Sequence, residues 1–250
     1  MNKKWNVCDI DENKVNEISQ KYNINKLLST ILVNRNIVEK DDINLFLNPT
    51  RDDFHNPFLM IDIKPAINRI KRAISDKEKV TIYGDYDVDG ITSVTVLKSF
   101  LRDVGLETSV YIPNRLHEGY GLNKDAIDKI HENYNSTLMI TVDCGITGFK
   151  EVEYAKTLGI ETIITDHHEP GSKMPQAIAV VDNKRPESKY PFRELAGVGV
   201  AFKLIQALSI ELGLKAEAYL KYLDIVCLGT ISDIVPVVDE NRVITKLGLM

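Results

Sequence analysis

At 250 residues the chain is long enough for one large domain or two small ones with a real core, and its 44% hydrophobic and 27% charged residues suit a soluble globular protein. A net charge of −5 argues against nucleic-acid binding by bulk positive charge, though not against local basic patches. Three scattered cysteines (Cys8, Cys144 and Cys227) outside any CxxC pattern argue against a disulfide framework or a zinc ribbon. With no apolar leader, and no apolar run near the ~18 residues of a membrane span, the composition predicts a cytoplasmic protein that is not in a membrane.

In chain order, the first elements read as short one-sided helices over 15–23, 26–36 and 39–48, with Leu27, Leu28, Ile31 and Leu32 at three- and four-residue spacing. A turn-rich stretch follows over 48–58. Pro65 then stands near the start of a helix over 64–75, where proline is best tolerated. From Lys79, β-rich runs (79–84, 107–113, 137–145, 160–169, 177–183) alternate with helical patterns (91–105, 124–134, 149–159), the rhythm of βαβ units. Two longer helices are predicted over 194–213 and 216–232. The expected architecture is α/β, a doubly wound, mainly parallel five-stranded sheet with helices on both faces over 61–250, with an N-terminal helical segment over 1–60 packed on it. The end, NRVITKLGLM, has no obvious cap and predicts a longer parent protein.

Four of the β-like runs end directly in acidic or histidine residues: VTIYGDYDVDG, MITVDCG, TIITDHHE and IAVVDN. In an open parallel sheet these strand ends line one edge, where ligands bind. Asp85, Asp87 and Asp89 come first; as alternate residues of an extended segment, at least two would face one point. Taken alone, each feature has a plain reading. The first triplet could be a solvated loop or a helix N-cap made by Asp89, the adjacent His167 and His168 surface residues, and Asp233 a helix cap. An EF-hand is a poor match without a Glu at the twelfth position, and a dinucleotide fold lacks GxGxxG after the first strand. Together, five or more carboxylates at one edge would repel unless cations neutralised them. An oxygen-rich set with one or two imidazoles suits Mn²⁺ or Mg²⁺ better than zinc, and this many acids can hold two ions for in-line attack on phosphorus.

YGDYDVDGITS, VDCG, TDHHE and GTISDIVP resemble, in order, the four motifs of the DHH phosphoesterase superfamily. PNRLHEGYGL (113–122), YPFRELAGVGVAFKL (190–204) and the leading LVNRNI…FLNP…NPFLM segment resemble its RecJ-type single-strand-specific exonucleases. The resemblance implies two ions, Mn²⁺ or Mg²⁺, held by Asp87, Asp89, Asp143, His167 and Asp233, with Asp143 bridging and Asp85 as a further ligand or as a group orienting one. It implies that His168 touches the scissile phosphate and that water, not a Ser, Cys or Lys, attacks. It further implies 5′ to 3′ digestion of single-stranded DNA to mononucleotides in repair and recombination, with a single-strand-binding protein and a helicase as partners. The candidate substrate contacts each keep a plain alternative. Arg115 reads as a phosphate ligand or a surface salt bridge, and Tyr120 as stacked on a base or packed in the core. Backbone N–H groups at Gly197 and Gly199 would approach a phosphate near a helix start, or the glycines serve close helix packing, and Lys184 and Arg185 lie on the strand backbone or are simply solvated. Asp182-Asn183 departs from the Asn-Pro usual in the family, so Asp182 is not expected to be a ligand. RecJ-type enzymes continue into DHHA1 and OB-like domains that are not in these 250 residues, so weak DNA binding and distributive activity are expected. The alternatives are another member of the superfamily, acting on short RNA, cyclic dinucleotides or inorganic pyrophosphate, and a non-catalytic scaffold, which would have lost several of the acids.

Overall fold

The computed structural model describes residues 9–115, 118–119 and 121–250, and divides into two units, Met1–Thr50 and Arg51–Met250. In the first unit, α1 (Glu12–Tyr22) starts where the Asp11 carboxylate accepts the N–H groups of Asn13 and Lys14, and stops at Asn23 in the left-handed conformation. Asn25 caps α2 (Lys26–Asn34) in the same way, and α3 (Lys40–Leu47) follows. Ile18, Leu32, Ile37 and Ile43 form this unit's core. The division falls at 50/51 where the sequence suggested 60/61, because Phe54, Phe58 and Met60 pack into the core of the second unit.

That second unit is built on α4 (Ile63–Asp76) and five strands: β1 (Val80–Gly84), β2 (Thr108–Tyr111), β3 (Leu138–Val142), β4 (Glu161–Asp166) and β5 (Ala179–Asp182). All pairings are parallel, in the order β2-β1-β3-β4-β5. Alternate side chains sort to opposite faces. Ile82, Leu138, Ile140, Val142, Ile163 and Val181 join the main core, while Tyr83, Met139, Ile164 and Val180 pack in clusters on the other side. Both faces are covered, as a parallel sheet requires, and each buried aliphatic side chain is worth about 1.5–3 kcal/mol.

The main core also takes α4, α5 (Val88–Asp103) and α8 (Gly197–Glu211), whereas α6 (Lys124–Lys129) and α7 (Phe149–Thr157) cover the opposite face. Two predicted helices are interrupted. The 124–134 pattern leaves α6 for a wide i→i+5 turn over Ile130–Tyr134. The 216–232 pattern splits into α9 (Glu217–Leu220) and α10 (Leu223–Ser232), a break that buries Tyr222 and brings its hydroxyl to Asp103 at 2.7 Å. Finally α11 (Asp239–Gly248) packs beside α10. No helix among the described residues is long and apolar enough to cross a membrane.

Candidate metal centre

The register aligns Gly84, Val142 and Thr165 in one row across β1, β3 and β4. The next residues, Asp85, Asp143 and Asp166, therefore leave the sheet side by side. Between β1 and β3 the strand order reverses, the switch point where such sheets place ligands. Asp143 has φ 59°, a left-handed conformation that costs a side-chain-bearing residue on the order of 1 kcal/mol and turns the chain sharply at the strand end. The Asp85–Asp89 segment is not extended, in contrast to the sequence reading. It turns from strand to helix, so that Asp87, not Asp89, caps α5 by accepting the Gly90 N–H at 2.9 Å, and Asp89 lies inside the first helical turn. Asp233 arrives from elsewhere, at the C-terminal end of α10.

Three groups of ligand-type atoms each fall within 4.8 Å of one another: Asp85, Asp87 and Asp143; Asp89, His167 and Asp233; and Asp143, His167 and His168. Asp143 and His167 thus link the whole set. His167 Nε2 lies 3.1 Å from Asp143 Oδ1 and 3.7 Å from Asp89 Oδ2, while its Nδ1 lies 3.8 Å from Asp233 Oδ2. Asp143 Oδ1 and His167 Nδ1 are nevertheless buried without a hydrogen-bond partner, which is costly for polar atoms unless something else binds them. Burial, with the charges of Asp166 and Asp87, pushes the Asp143 carboxyl up to about 9. Burial and the Asp143 charge push Asp89 up to about 7, and burial also raises Asp85 and Asp233. A site that must take up protons to relieve repulsion is one that divalent cations can occupy instead, and this oxygen-rich donor set fits Mn²⁺ or Mg²⁺.

Behind these acids stands a supporting layer the sequence did not reveal. Burial would raise the Asp166 carboxyl, yet hydrogen bonds from His168 and from the N–H groups of Ile146 and His168 hold it below the usual range. In return His168, whose Nδ1 meets Asp166 Oδ1 at 2.7 Å, is raised to about 9 and is a cation at neutral pH. Its side chain is 44% exposed, so it can reach an anion in front of the cluster. The position of Asp166 at a strand end, just before two histidines, is a signal that could have found it.

The predicted substrate contacts are redistributed. The Gly197 N–H donates to Asp89 Oδ2 at 2.6 Å and that of Val198 to Oδ1 at 2.9 Å, so the start of α8 holds a carboxylate of the cluster, not a phosphate. Gly199 faces Leu195, a packing contact. Arg185 is committed to Asp62, Glu187 and the Val180 carbonyl. Arg115 lies over the ring of Tyr86, the residue between Asp85 and Asp87 in the chain, at 5.2 Å. Tyr120 lies outside the described residues. Asp182, buried opposite Asp166 and raised to about 7 by burial, accepts the Lys184 N–H and belongs to none of the three ligand groups. A cavity of about 550 Å³ opens at the other edge of the sheet, lined by residues such as Lys77, Glu107 and Tyr134, but no catalytic constellation converges there.

The model of the DHH family, N-terminal domain, matches residues 79–230. The chain is 45% identical over 246 residues to the single-stranded-DNA-specific exonuclease RecJ of Bacillus subtilis (strain 168), covering 98% of this chain and 30% of that protein. To the same-named protein of Escherichia coli (strain K12) it is 35% identical, covering 75% of this chain and 34% of that one. It thus spans about a third of the length of these relatives. Among solved structures it is similar to an exonuclease RecJ bound to manganese (36% identity, TM-score 0.69, 76% of this chain and 48% of that one). It is also similar to the Mn²⁺ complex of RecJ from Thermus thermophilus (28% identity, TM-score 0.74, 95% of this chain and 33% of that one).

Proposed function

Because the chain belongs to the DHH family, N-terminal domain, we propose that it is the catalytic part of a two-metal exonuclease that hydrolyses phosphodiester bonds of single-stranded DNA from the 5′ end. One observation carries the reading. Seven residues from four separated segments bring their ligand-type atoms together, and Asp143 Oδ1 and His167 Nδ1 are buried there without a hydrogen bond. Asp87, Asp89, Asp143, His167 and Asp233 would hold two ions, Mn²⁺ or Mg²⁺, with Asp143 shared and Asp85 completing one side. The solved relatives with Mn²⁺ or Mg²⁺ support that choice. When bound, such ions make water a better nucleophile at neutral pH and neutralise charge on the phosphate.

The chain's own groups do the rest. Asp89 is oriented by two N–H donors of α8. Asp166 holds His168 as a cation whose exposed edge can stabilise charge developing on a phosphate oxygen. Arg115, which lies over the Tyr86 ring, is the candidate to hold a strand phosphate, and Tyr120 the candidate to stack on a base. Repair and recombination, in the cytoplasm and alongside a single-strand-binding protein and a helicase, are the setting this reading implies. A DHHA1 domain and an OB-like domain complete the groove in such enzymes, so these 250 residues alone are expected to bind a strand weakly and to act distributively.

The test is Mn²⁺ binding by calorimetry on this chain and on Asp143→Ala, with a 5′-phosphorylated single strand, dinucleotides and short RNA digested in parallel. Two ions, lost with mononucleotide release in the variant, support the reading. Preference for dinucleotides or short RNA would move the substrate within the superfamily. No metal binding would overturn it.

A further inference from the structure

Two glycines press against the acid cluster from different helices, and neither is needed for its backbone conformation, since both are helical with φ outside the left-handed region. A Cβ on Gly197 would lie 2.6 Å from Asp143 Cβ and 2.7 Å from its Cγ, and closer still to Oδ1. The same residue's N–H binds Asp89. Gly197 therefore lies against Asp143 and binds Asp89 through its backbone. On α10, a Cβ on Gly229 would come within 2.8 Å of Val198 Cγ1 and 3.1 Å of Asp89 Oδ1, and would overlap Thr92 Oγ1. Thr92 in turn bonds the carbonyls of Val88 and Asp89. The Gly229 carbonyl accepts the N–H of Asp233, one turn further on, at 3.0 Å. Asp233 reaches Asp89 and His167 only because α10 lies flush against Asp89.

We propose that Gly197 and Gly229 are positioning residues that set the spacing of the two halves of the metal centre. Gly197 fixes Asp89 against Asp143, the residue the halves share, and Gly229 fixes Asp233 against Asp89 and His167. This rests on the two-metal reading above. The consequence is asymmetric. A methyl group at 229 shifts α10 and Asp233 and disturbs only the Asp89–His167–Asp233 side, leaving Asp85, Asp87 and Asp143 as they were. A methyl group at 197 displaces Asp143 and disturbs both sides.

The experiment is calorimetric titration with Mn²⁺ of the wild type, Gly197→Ala, Gly229→Ala and Gly248→Ala, each with a metal-free thermal melt. Gly248 is the control for a merely structural glycine. A Cβ there would overlap the Leu223 carbonyl, on the order of 15 Å from Asp233 by helical rise, and lie 2.5 Å from the Cβ of Cys227, about 9 Å from Asp233 by the same measure. Gly248→Ala is expected to melt lower yet bind both ions within about twofold of wild type. Gly229→Ala is expected to weaken one ion at least tenfold and spare the other, and Gly197→Ala to weaken both at least tenfold. Should Gly229→Ala fail to fold, Gly229→Ala/Thr92→Ala removes the hydroxyl it strikes but keeps the contact with Asp89. That pair is expected to fold and retain the one-ion defect. If the wild type binds two ions and the glycine variants match it, this inference fails while the two-metal reading stands. If the wild type binds none, the reading itself fails.

Discussion

The two edges of the sheet treat their carboxylates in opposite ways. At the amino edge, Glu78 just before β1 and Glu161 at the start of β4 meet Arg69, whose side chain is 4% exposed, at 2.7 and 2.5 Å, with Arg72 joining from outside. Burial would raise Glu78, but the hydrogen bonds from Arg69 and Thr137 leave it below its usual range. At the carboxyl edge of the same strands, no Lys or Arg among the described residues forms an ion pair with Asp85, Asp87, Asp89, Asp143 or Asp233, and burial raises Asp85, Asp89, Asp143 and Asp233. A charge cluster compensated from within serves the fold. One left uncompensated makes sense only if the compensating charge comes from solution.

The sharpest way to break that comparison is Asp143→Ala, which is expected to abolish ion binding and strand cleavage while the metal-free protein melts no lower than wild type, because it removes a buried carboxyl that lacks a hydrogen bond at Oδ1. A lower melt with intact ion binding would make Asp143 a structural acid like Glu78. Arg69→Ala should do the reverse. Stability falls by about 2 kcal/mol in urea unfolding, since two glutamates lose their buried partner and keep only Arg72, while Mn²⁺ affinity stays unchanged. Between these lies Asp166→Ala, which frees His168 and should cost about 10–100-fold in cleavage with both ions still bound. A loss of ions instead would place Asp166 among the ligands.

The smallest expected effect is on pH dependence, and its sign differs between the edges. Asp143 and Asp89 titrate near 9 and 7 when folded, against about 4 when unfolded, so their contribution is fully present below pH 4 and is lost as pH rises through those values. Metal-free protein should therefore melt progressively lower from pH 5 to pH 8, and saturating Mg²⁺ should flatten that slope. Glu78 is lowered, so its contribution is present above the ordinary glutamate range and is lost as pH falls through its lowered value. Glu78→Gln should remove part of the stability loss in acid without touching the slope above pH 5. A metal-free melt that does not change with pH would mean the acids at the carboxyl edge are already neutralised.

Strand ends, helix periods and the order of the acidic motifs were legible in the sequence because they are local. A β-run that stops at an Asp is visible residue by residue, and the parallel topology then sends every such end to one edge. That was enough to bring Asp85, Asp143 and His167 together on paper, and to name the α/β sheet that carries them. Which group caps α5 was not legible, because Asp87 and Asp89 are equally good caps until the turn after Gly84 is known. Nor was the fate of the Gly197 N–H, whose partner lies 108 positions away, or the role of Gly229, which is defined only by what stands where its side chain would be. The sequence by itself determined which charges this protein gathers at one edge of its sheet. Tertiary structure decided which of them are left without a partner, because partnership depends on the packing of helices against the sheet and not on any neighbour along the chain.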